Sequence, residues 1–180
     1  ASYLMPCCAG YTSAPIATSA RVFPDNWWTM QDFIGVPTTL SVALAKRGYT
    51  GLTPVQEAVS AKALAGKDLL VSAQTGSGKT VGFGLAMAEE LLGADGRFGR
   101  PGLPRAIVIA PTRELALQVR REFDWLFAEA KIITASAVGG MDTRSERRAL
   151  ERGAHVVVAT PGRLRDHITR GAIDLSDVQT

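Results

Sequence analysis

Two kinds of hydrophobic pattern alternate along the chain from Gln31 onward. Short runs that are apolar almost throughout have the length and composition of buried β-strands: DLLVSA, RAIVIA, IITASAV and HVVVAT. Between them lie longer stretches in which apolar residues recur at helical spacing, which is typical of amphipathic helices. Continuous apolar strands that alternate with such helices predict an α/β fold, with a parallel sheet covered by helices on both faces.

The helical pattern is clearest in TRELALQVRREFDWLFAEA, residues 112–130, which places apolar side chains at Leu115, Val119, Phe123, Leu126 and Phe127. Two earlier helices, 38–48 and 54–66, are each predicted to end at a glycine. Another helix, 79–92, directly follows a glycine-rich loop. The segments 142–153 and 162–171 predict two short helices, the first with mixed charges on a solvated face.

Residues 1–30 differ from the rest of the chain. They contain no lysine and no glutamate, and their scattered aromatic residues follow no helical or strand period. We therefore expect a disordered or non-native tail over 1–30 and one α/β domain over 31–180. An alternative is that translation naturally starts at Met30, and a native peptide containing Trp27 and Trp28 would exclude that alternative.

Composition narrows the class of protein. With 46% hydrophobic and 21% charged residues, the chain is typical of a soluble globular domain. The two cysteines, Cys7 and Cys8, are neighbours, which argues against a disulfide scaffold or a zinc module and favours a reducing, cytoplasmic setting. No apolar run approaches the roughly 20 residues of a membrane span. A net charge of +3 only slightly favours a nucleic-acid partner.

The segment AQTGSGKT matches the pattern of a phosphate-binding loop between a strand and a helix. Small residues let backbone N–H groups turn toward a phosphate chain, and the following helix adds its free N-terminal donors. Lys79 is expected to reach the β- and γ-phosphates, and the Thr80 hydroxyl to bind Mg²⁺. The candidate nucleotide-binding residues are Ala73, Gln74, Thr75, Gly76, Ser77, Gly78, Lys79 and Thr80. The alternative is an ordinary glycine-rich turn.

Such a loop does not by itself identify the nucleotide. The Asn-Lys-x-Asp segment with which GTPases read guanine is absent from the sequence. A candidate for reading the base lies upstream in GYTGLTPVQ, residues 48–56. The amide of Gln56 offers a donor and an acceptor side by side, which suits adenine better than guanine.

Five short segments in this order resemble the motifs of the first RecA-like domain of DEAD-box ATP-dependent RNA helicases, a branch of superfamily 2. They are GYTGLTPVQ, AQTGSGKT, PTREL at 111–115, the doublet at Gly139 and Gly140, and TPGRL at 160–164. The resemblance covers residues 31–180 and implies a partial helicase ATP-binding domain. It also implies ATP and Mg²⁺ as cofactors, with Gln56 on adenine, Phe33 stacked on the base, and Lys79 and Thr80 in catalysis.

The resemblance further implies an RNA partner, bound through phosphate and sugar and so without sequence preference. The candidate contacts are Pro111, Thr112, Arg113, Gly139, Gly140, Thr160, Pro161, Gly162 and Arg163. For Arg113 and Arg163 the alternative is a structural pairing with a carboxylate. His155 and His167 have no metal or triad spacing, and we expect structural roles for both.

Hydrolysis in this family also needs an Asp-Glu-Ala-Asp segment, expected soon after DLSDVQT, and a second RecA-like domain with arginine fingers. Neither occurs in these 180 residues. We therefore expect this polypeptide to bind ATP and RNA but to hydrolyse ATP only at background rate, and to expose a sheet edge. The alternative is a short non-catalytic module that competes with full-length helicases. A motor acting on DNA is disfavoured by PTREL, TPGRL and Gln56.

Overall fold

Three parallel strands form the centre of the computed structural model, which describes residues 33–140 and 142–180. The predicted tail, 1–30, lies outside the described residues. The strands are β1 Ala106–Ile109, β2 Thr134–Ala137 and β3 Val156–Ala159. The helices are α1 Thr38–Lys46, α2 Pro54–Val59, α3 Lys79–Leu91, α4 Arg113–Leu126, α5 Thr143–Glu151 and α6 Pro161–Thr169.

The sheet has the order β1-β3-β2, so the last strand lies between the first two. Val157 is in register with Ile107 on one side and with Ala135 on the other. Successive β3 residues point to opposite faces: Val156 and Val158 join the core cluster with α1, α3 and α4, whereas Val157 and Ala159 pack with α5 and α6. The predicted α/β fold, a parallel sheet with helices on both faces, is confirmed.

Helix α4 packs against the sheet through a stripe that begins one residue later than predicted. Phe123 and Leu126 are buried as expected, but Leu115 is 39% exposed. Ala116 occupies the first buried position, and Val119, Phe123 and Leu126 follow it at helical spacing. Leu115 therefore lies beside the stripe, in the exposed first turn.

The predicted helix over 54–66 is interrupted. Helix α2 ends at Val59, and a single 3₁₀ turn follows at Lys62–Leu64. The Ser60 hydroxyl donates to the Gln56 carbonyl at 2.7 Å, and Ala61 adopts an extended conformation. A serine that bonds back to the preceding turn competes with helix continuation, which accounts for the break.

The strand predicted over DLLVSA does not form. Residues 68–74 have no strand structure, and Leu70 is fully exposed at 102%. A strand requires a neighbouring ladder, and none of the described strands is paired with this segment. Strand β1 lies at the outer edge of the sheet, and that edge is only partly covered. The Ile107 N–H donates to the Thr180 carbonyl at 2.9 Å, and Ile109 remains 58% exposed.

Candidate nucleotide-binding loop and nucleic-acid surface

The loop Ala73–Thr80 has the backbone form that a phosphate chain requires. Gly76 and Gly78 both have positive φ values, 80° and 82°. Gly78 is the N-cap of α3 and supplies no side-chain bond, so no side chain caps the first turn of that helix. The Lys79 ammonium donates to the carbonyls of Ala73 at 2.5 Å and Gln74 at 2.6 Å. The loop therefore curls around a positive charge.

One polar atom of this loop has no partner. The Ser77 hydroxyl is buried and makes no hydrogen bond within the described residues. A buried hydroxyl without a partner is costly, and a phosphate oxygen would satisfy it. Together with the uncapped helix start and Lys79, this orphaned hydroxyl means that the residues present fit a phosphate chain.

The segment that includes Gln56 is tied directly to this loop. Gln56 is fully buried, accepts from the Thr53 N–H at 2.9 Å and donates to the Gly78 carbonyl at 3.2 Å. Thr53 caps α2 and donates its hydroxyl to the Ser77 carbonyl at 2.9 Å. Each end of the Gln56 amide still has one hydrogen or one lone pair that a base could use, but at 0% exposure the amide reaches a base only if its surroundings open. The role of Gln56 on adenine stays a prediction.

Phe33, the residue predicted to stack on the base, is buried in the core. The residue is 6% exposed and belongs to the core cluster with Leu40 and Leu44. In this conformation the ring offers little surface to a base. Stacking by Phe33 therefore stays a prediction that requires the ring to leave the core.

The predicted RNA contacts come together at one edge of the sheet. The segments 111–113, 139–140 and 160–163 follow β1, β2 and β3, and parallel strands place their C-terminal ends side by side. Arg113 is exposed and donates to the Gly139 carbonyl at 3.2 Å. Gly140 has a φ of 79°, and a Cβ there would overlap the Arg113 guanidinium. The first two loops are thus in contact, and Arg113 has a carbonyl partner.

Arg163 is engaged differently. Its guanidinium donates to Glu146 at 2.7 Å, to the Thr143 hydroxyl at 2.5 Å and to Asp166 at 3.5 Å. The carboxylate pairing considered as the alternative role of Arg163 is present. Glu146 itself contradicts the sequence-based expectation, because it is 3% exposed and does not lie on a solvated face.

Both histidines are buried, which agrees with the structural roles expected for them. His155 accepts from the Ile133 N–H at 2.9 Å through Nδ1, and its Nε2 lies 3.2 Å from the Gly99 carbonyl. Burial lowers the pKa of His155 from its ordinary value near 6.5, and Arg105 adds to that effect. The His167 Nε2 lies 2.9 Å from Glu146.

Two residues important for this geometry were missed in the sequence. Thr53 had a detectable signal, because threonine followed three residues later by glutamine is the pattern of a helix capping box. Glu146 had none, since nothing in a run of mixed charges marks the carboxylate that turns inward.

Within 33–140 and 142–180, no group of three or more His, Cys, Asp or Glu residues could hold a metal ion. The helices of that same part of the chain are all too short or too polar to cross a membrane.

A parallel α/β sheet and a phosphate-binding loop that fits a phosphate chain define a P-loop nucleotide-binding domain. Comparison with known families then specifies the class. The family model described as DEAD/DEAH box helicase matches residues 53–180, which is more than half of the chain. The chain therefore belongs to the DEAD/DEAH box helicase family.

Individual relatives agree with this assignment. The chain is 45% identical over 148 residues to DEAD-box ATP-dependent RNA helicase 3B, chloroplastic, of Zea mays, covering 81% of this chain and 20% of that protein. It is 38% identical over 154 residues to the helicase CshA of Bacillus subtilis, covering 84% and 29%. The chain thus spans about a fifth to three tenths of the length of such curated relatives.

Solved structures support the fold. A structure described as a hypothetical ATP-dependent RNA helicase from Sulfolobus tokodaii is 32% identical, with a TM-score of 0.66 over 78% of this chain and 38% of that one. The RNA helicase Prp28 from Chaetomium thermophilum, bound to ADP, is 35% identical, with a TM-score of 0.70 over 80% and 35%. These neighbours confirm a RecA-like helicase domain.

Proposed function

We propose that this chain is the ATP-binding and RNA-binding part of an ATP-dependent RNA helicase. The observation that carries the proposal is the direct bonding of Gln56 and Thr53 to the phosphate loop, at Gly78 and Ser77. That contact joins the segment suited to reading adenine with the segment suited to holding its phosphates. In the whole protein, a second RecA-like domain would complete the site.

Residues of the loop would each supply a defined interaction with the nucleotide. Lys79 would exchange the carbonyls of Ala73 and Gln74 for phosphate oxygens, whose negative charge attracts the ammonium more strongly than a neutral carbonyl does. The Ser77 hydroxyl would gain the partner it lacks, and Thr80, in the first turn of α3, would bind Mg²⁺. Bound ATP would supply the phosphoanhydride bond whose hydrolysis drives RNA remodelling, and Mg²⁺ would offset the negative charge of its phosphates.

RNA would bind across the loops that follow β1, β2 and β3. The candidate contacts Pro111, Thr112, Arg113, Gly139, Gly140, Pro161 and Gly162 are exposed, and Thr160 is half-buried. Backbone N–H groups, hydroxyls and an arginine suit phosphate and sugar oxygens and carry no base information. We therefore expect binding without sequence preference and with a strong dependence on salt.

Nucleotide titration of the purified 180-residue chain tests the ATP site. We expect ATP and ADP to bind better than GTP, and Lys79→Ala to weaken ATP binding roughly 10- to 100-fold, because bonds to charged groups contribute about 1.5–3 kcal/mol. Gln56→Ala should erode the preference for adenine, whereas Gln118→Ala, an exposed amide on α4, should not. Equal binding of GTP by the wild type would contradict the role of Gln56.

The same polypeptide tests the expectation about turnover. Its 180 residues contain no Asp-Glu-Ala-Asp segment, and so no acidic group from that motif to orient the attacking water. We expect background ATP hydrolysis with or without RNA. RNA-stimulated hydrolysis that disappears in Lys79→Ala would contradict this expectation.

A cytoplasmic location is part of the proposal. It rests on the two neighbouring cysteines, which favour a reducing setting. Relatives include helicases named chloroplastic and mitochondrial, which makes an organelle the competing location. Imaging of the full-length protein with a C-terminal tag distinguishes the two.

A further inference from the structure

A single buried carboxylate links two of the three proposed RNA-binding loops. Glu146 lies on α5 and is 3% exposed. Its Oε1 accepts from the Val138 N–H at 3.0 Å. Its Oε2 lies 2.7 Å from Nε of Arg163 and 2.9 Å from Nε2 of His167. The carboxylate is therefore surrounded by donors from two other elements of the fold.

The donors to Glu146 belong to two different loops of the proposed RNA-binding surface. Val138 directly precedes the glycine doublet, whereas Arg163 lies in the first turn of α6, just after Thr160. Arg113 in turn donates to the Gly139 carbonyl. A continuous chain of bonds therefore runs from the loop after β1, through the glycine doublet and Glu146, to the loop after β3.

Stability alone does not explain a buried charge at this position. Removing a carboxylate from water is expensive, and well-packed apolar residues often replace a buried ion pair without loss of stability. Arg163 is also only 18% exposed in its side chain, and its donors are directed to Glu146, Thr143 and Asp166. Both facts favour a role for Glu146 in fixing the relative positions of the loops after β2 and β3.

We propose that Glu146 is a positioning residue for RNA binding, and that Arg163 acts through Glu146 rather than by contacting phosphate. The carboxylate sets the spacing between the glycine doublet and the first turn of α6, so that backbone N–H groups of both loops meet adjacent phosphates. This inference rests on the proposed RNA binding, and the experiments below separate the failure of one from the failure of the other.

Glu146→Gln distinguishes the two roles of Arg163 by the sign of its effect. A glutamine keeps one acceptor for the Val138 N–H, but its amide nitrogen meets the donors of Arg163 and His167. If Arg163 contacted phosphate directly, losing this competing carboxylate would leave its guanidinium with only Thr143 and Asp166 as partners and raise the net charge by one, so RNA would bind more tightly. If Glu146 positions the loops, binding weakens, and we expect a loss of at least tenfold.

The measurement is fluorescence anisotropy with a labelled single-stranded oligouridylate, at fixed salt and at a temperature where circular dichroism shows each variant folded. The matched control is Glu151→Gln, which removes the same charge from the same helix but lies at the surface beside Arg147. We expect the control to bind as tightly as the wild type or slightly more tightly. Glu146→Gln that binds as tightly as the control overturns the proposal.

Amide chemical shifts provide a readout that does not need RNA. Glu146→Gln should move the signals of Gly139, Gly140 and Gly162 together, whereas Glu151→Gln should leave them in place. Changes confined to α5 overturn the positioning role. If Glu146→Gln shows the concerted changes but the wild type binds no RNA, Glu146 still sets the positions of the loops and the proposed RNA binding is overturned instead.

Arg163→Lys replaces Glu146→Gln if the latter does not fold. Lysine keeps the positive charge that a phosphate contact needs, but it cannot reproduce the planar fork that reaches Glu146, Thr143 and Asp166. Weaker RNA binding by this variant, together with concerted shifts of the Gly139, Gly140 and Gly162 amide signals, supports the positioning role, because loss of a direct phosphate contact alone would leave those signals in place in the absence of RNA. Unchanged binding overturns it.

Discussion

The two halves of the proposed site carry equally clear motifs but are built in different ways. The phosphate-loop half, residues 48–80, contains one short helix and a loop held by Gln56 and Thr53, and its Leu70 is fully exposed. The sheet half, residues 106–169, places its loops on three paired strands, and β3 is buried along its whole length. How well a segment matches a sequence motif therefore does not indicate how well the surrounding structure holds that segment in place.

The difference separates local from non-local causes of structure. The phosphate loop needs positive φ at two glycines, a helix start and a capping box, all set by residues within or near the loop. The strand before it needs a ladder from distant residues, and DLLVSA stays irregular where that ladder is absent from the described residues. Variants matched between the two halves test this distinction.

The largest expected effect compares one apolar side chain from each half. Phe123 is 1% exposed beneath the sheet, and Phe123→Ala should lower the free energy of unfolding by about 3–5 kcal/mol. Leu70 is 102% exposed, so Leu70→Ala should change it by less than about 0.5 kcal/mol. Urea denaturation followed by circular dichroism measures both, and similar losses would mean that Leu70 is buried in solution.

The same distinction explains how much of the fold could be predicted from the sequence. Continuous apolar runs identified β1, β2 and β3 correctly because each of these segments has a neighbouring strand to pair with. The run DLLVSA has the same pattern, and the sequence of one segment does not say whether its partner is present. The break after Val59 depended on one hydroxyl bond from Ser60, a detail that helix periodicity does not record.

The site was predictable to the extent that it depends on the backbone. The loop around Lys79, and the three segments at one edge of the sheet, follow from motif positions after strands. The hydrogen-bond and packing partners of the side chains could not be predicted from the motifs. The burial of Phe33, and the inward turn of Glu146 toward Arg163, depend on packing between segments far apart in the sequence.

Two glycines of the phosphate loop give the next largest effect. Gly76 and Gly78 both have φ near 80°, so alanine at either should cost about 1–2 kcal/mol in the free energy of unfolding. At Gly78 the added Cβ would also overlap the Gln56 amide, which is fully buried and bonded to the Gly78 carbonyl and the Thr53 N–H. We expect Gly78→Ala to cost about 2–3 kcal/mol in total and to weaken ATP binding more than Gly76→Ala. Equal effects in urea denaturation and ATP titration would show that Gln56 does not constrain the loop.

The glycine doublet offers the corresponding comparison in the sheet half, with a smaller effect. Gly140→Ala places a side chain at positive φ and displaces Arg113 from the Gly139 carbonyl, for a cost of about 1–2 kcal/mol in the free energy of unfolding. Because Arg113 is exposed and can move away, the overlap adds no further cost to the free energy of unfolding. Gly139→Ala meets open space and should leave stability unchanged. A destabilised Gly139→Ala variant would contradict the described loop.

The smallest effect is a dependence on pH that only the sheet half should show, because both histidines of the chain lie there. Burial holds the pKa of His155 below its ordinary value near 6.5, so the folded protein keeps this ring neutral while the unfolded chain takes up a proton. The stability contributed by neutral His155 is full above pH 6.5 and declines as the pH falls toward the folded pKa, by at most about 1.4 kcal/mol per pH unit. His155→Gln can still accept from Ile133 and donate to Gly99 but does not titrate, so its stability should fall less than that of the wild type between pH 7.5 and 5.5. Urea denaturation at several pH values measures the difference in slope, and parallel slopes would mean that His155 is not buried as a neutral ring.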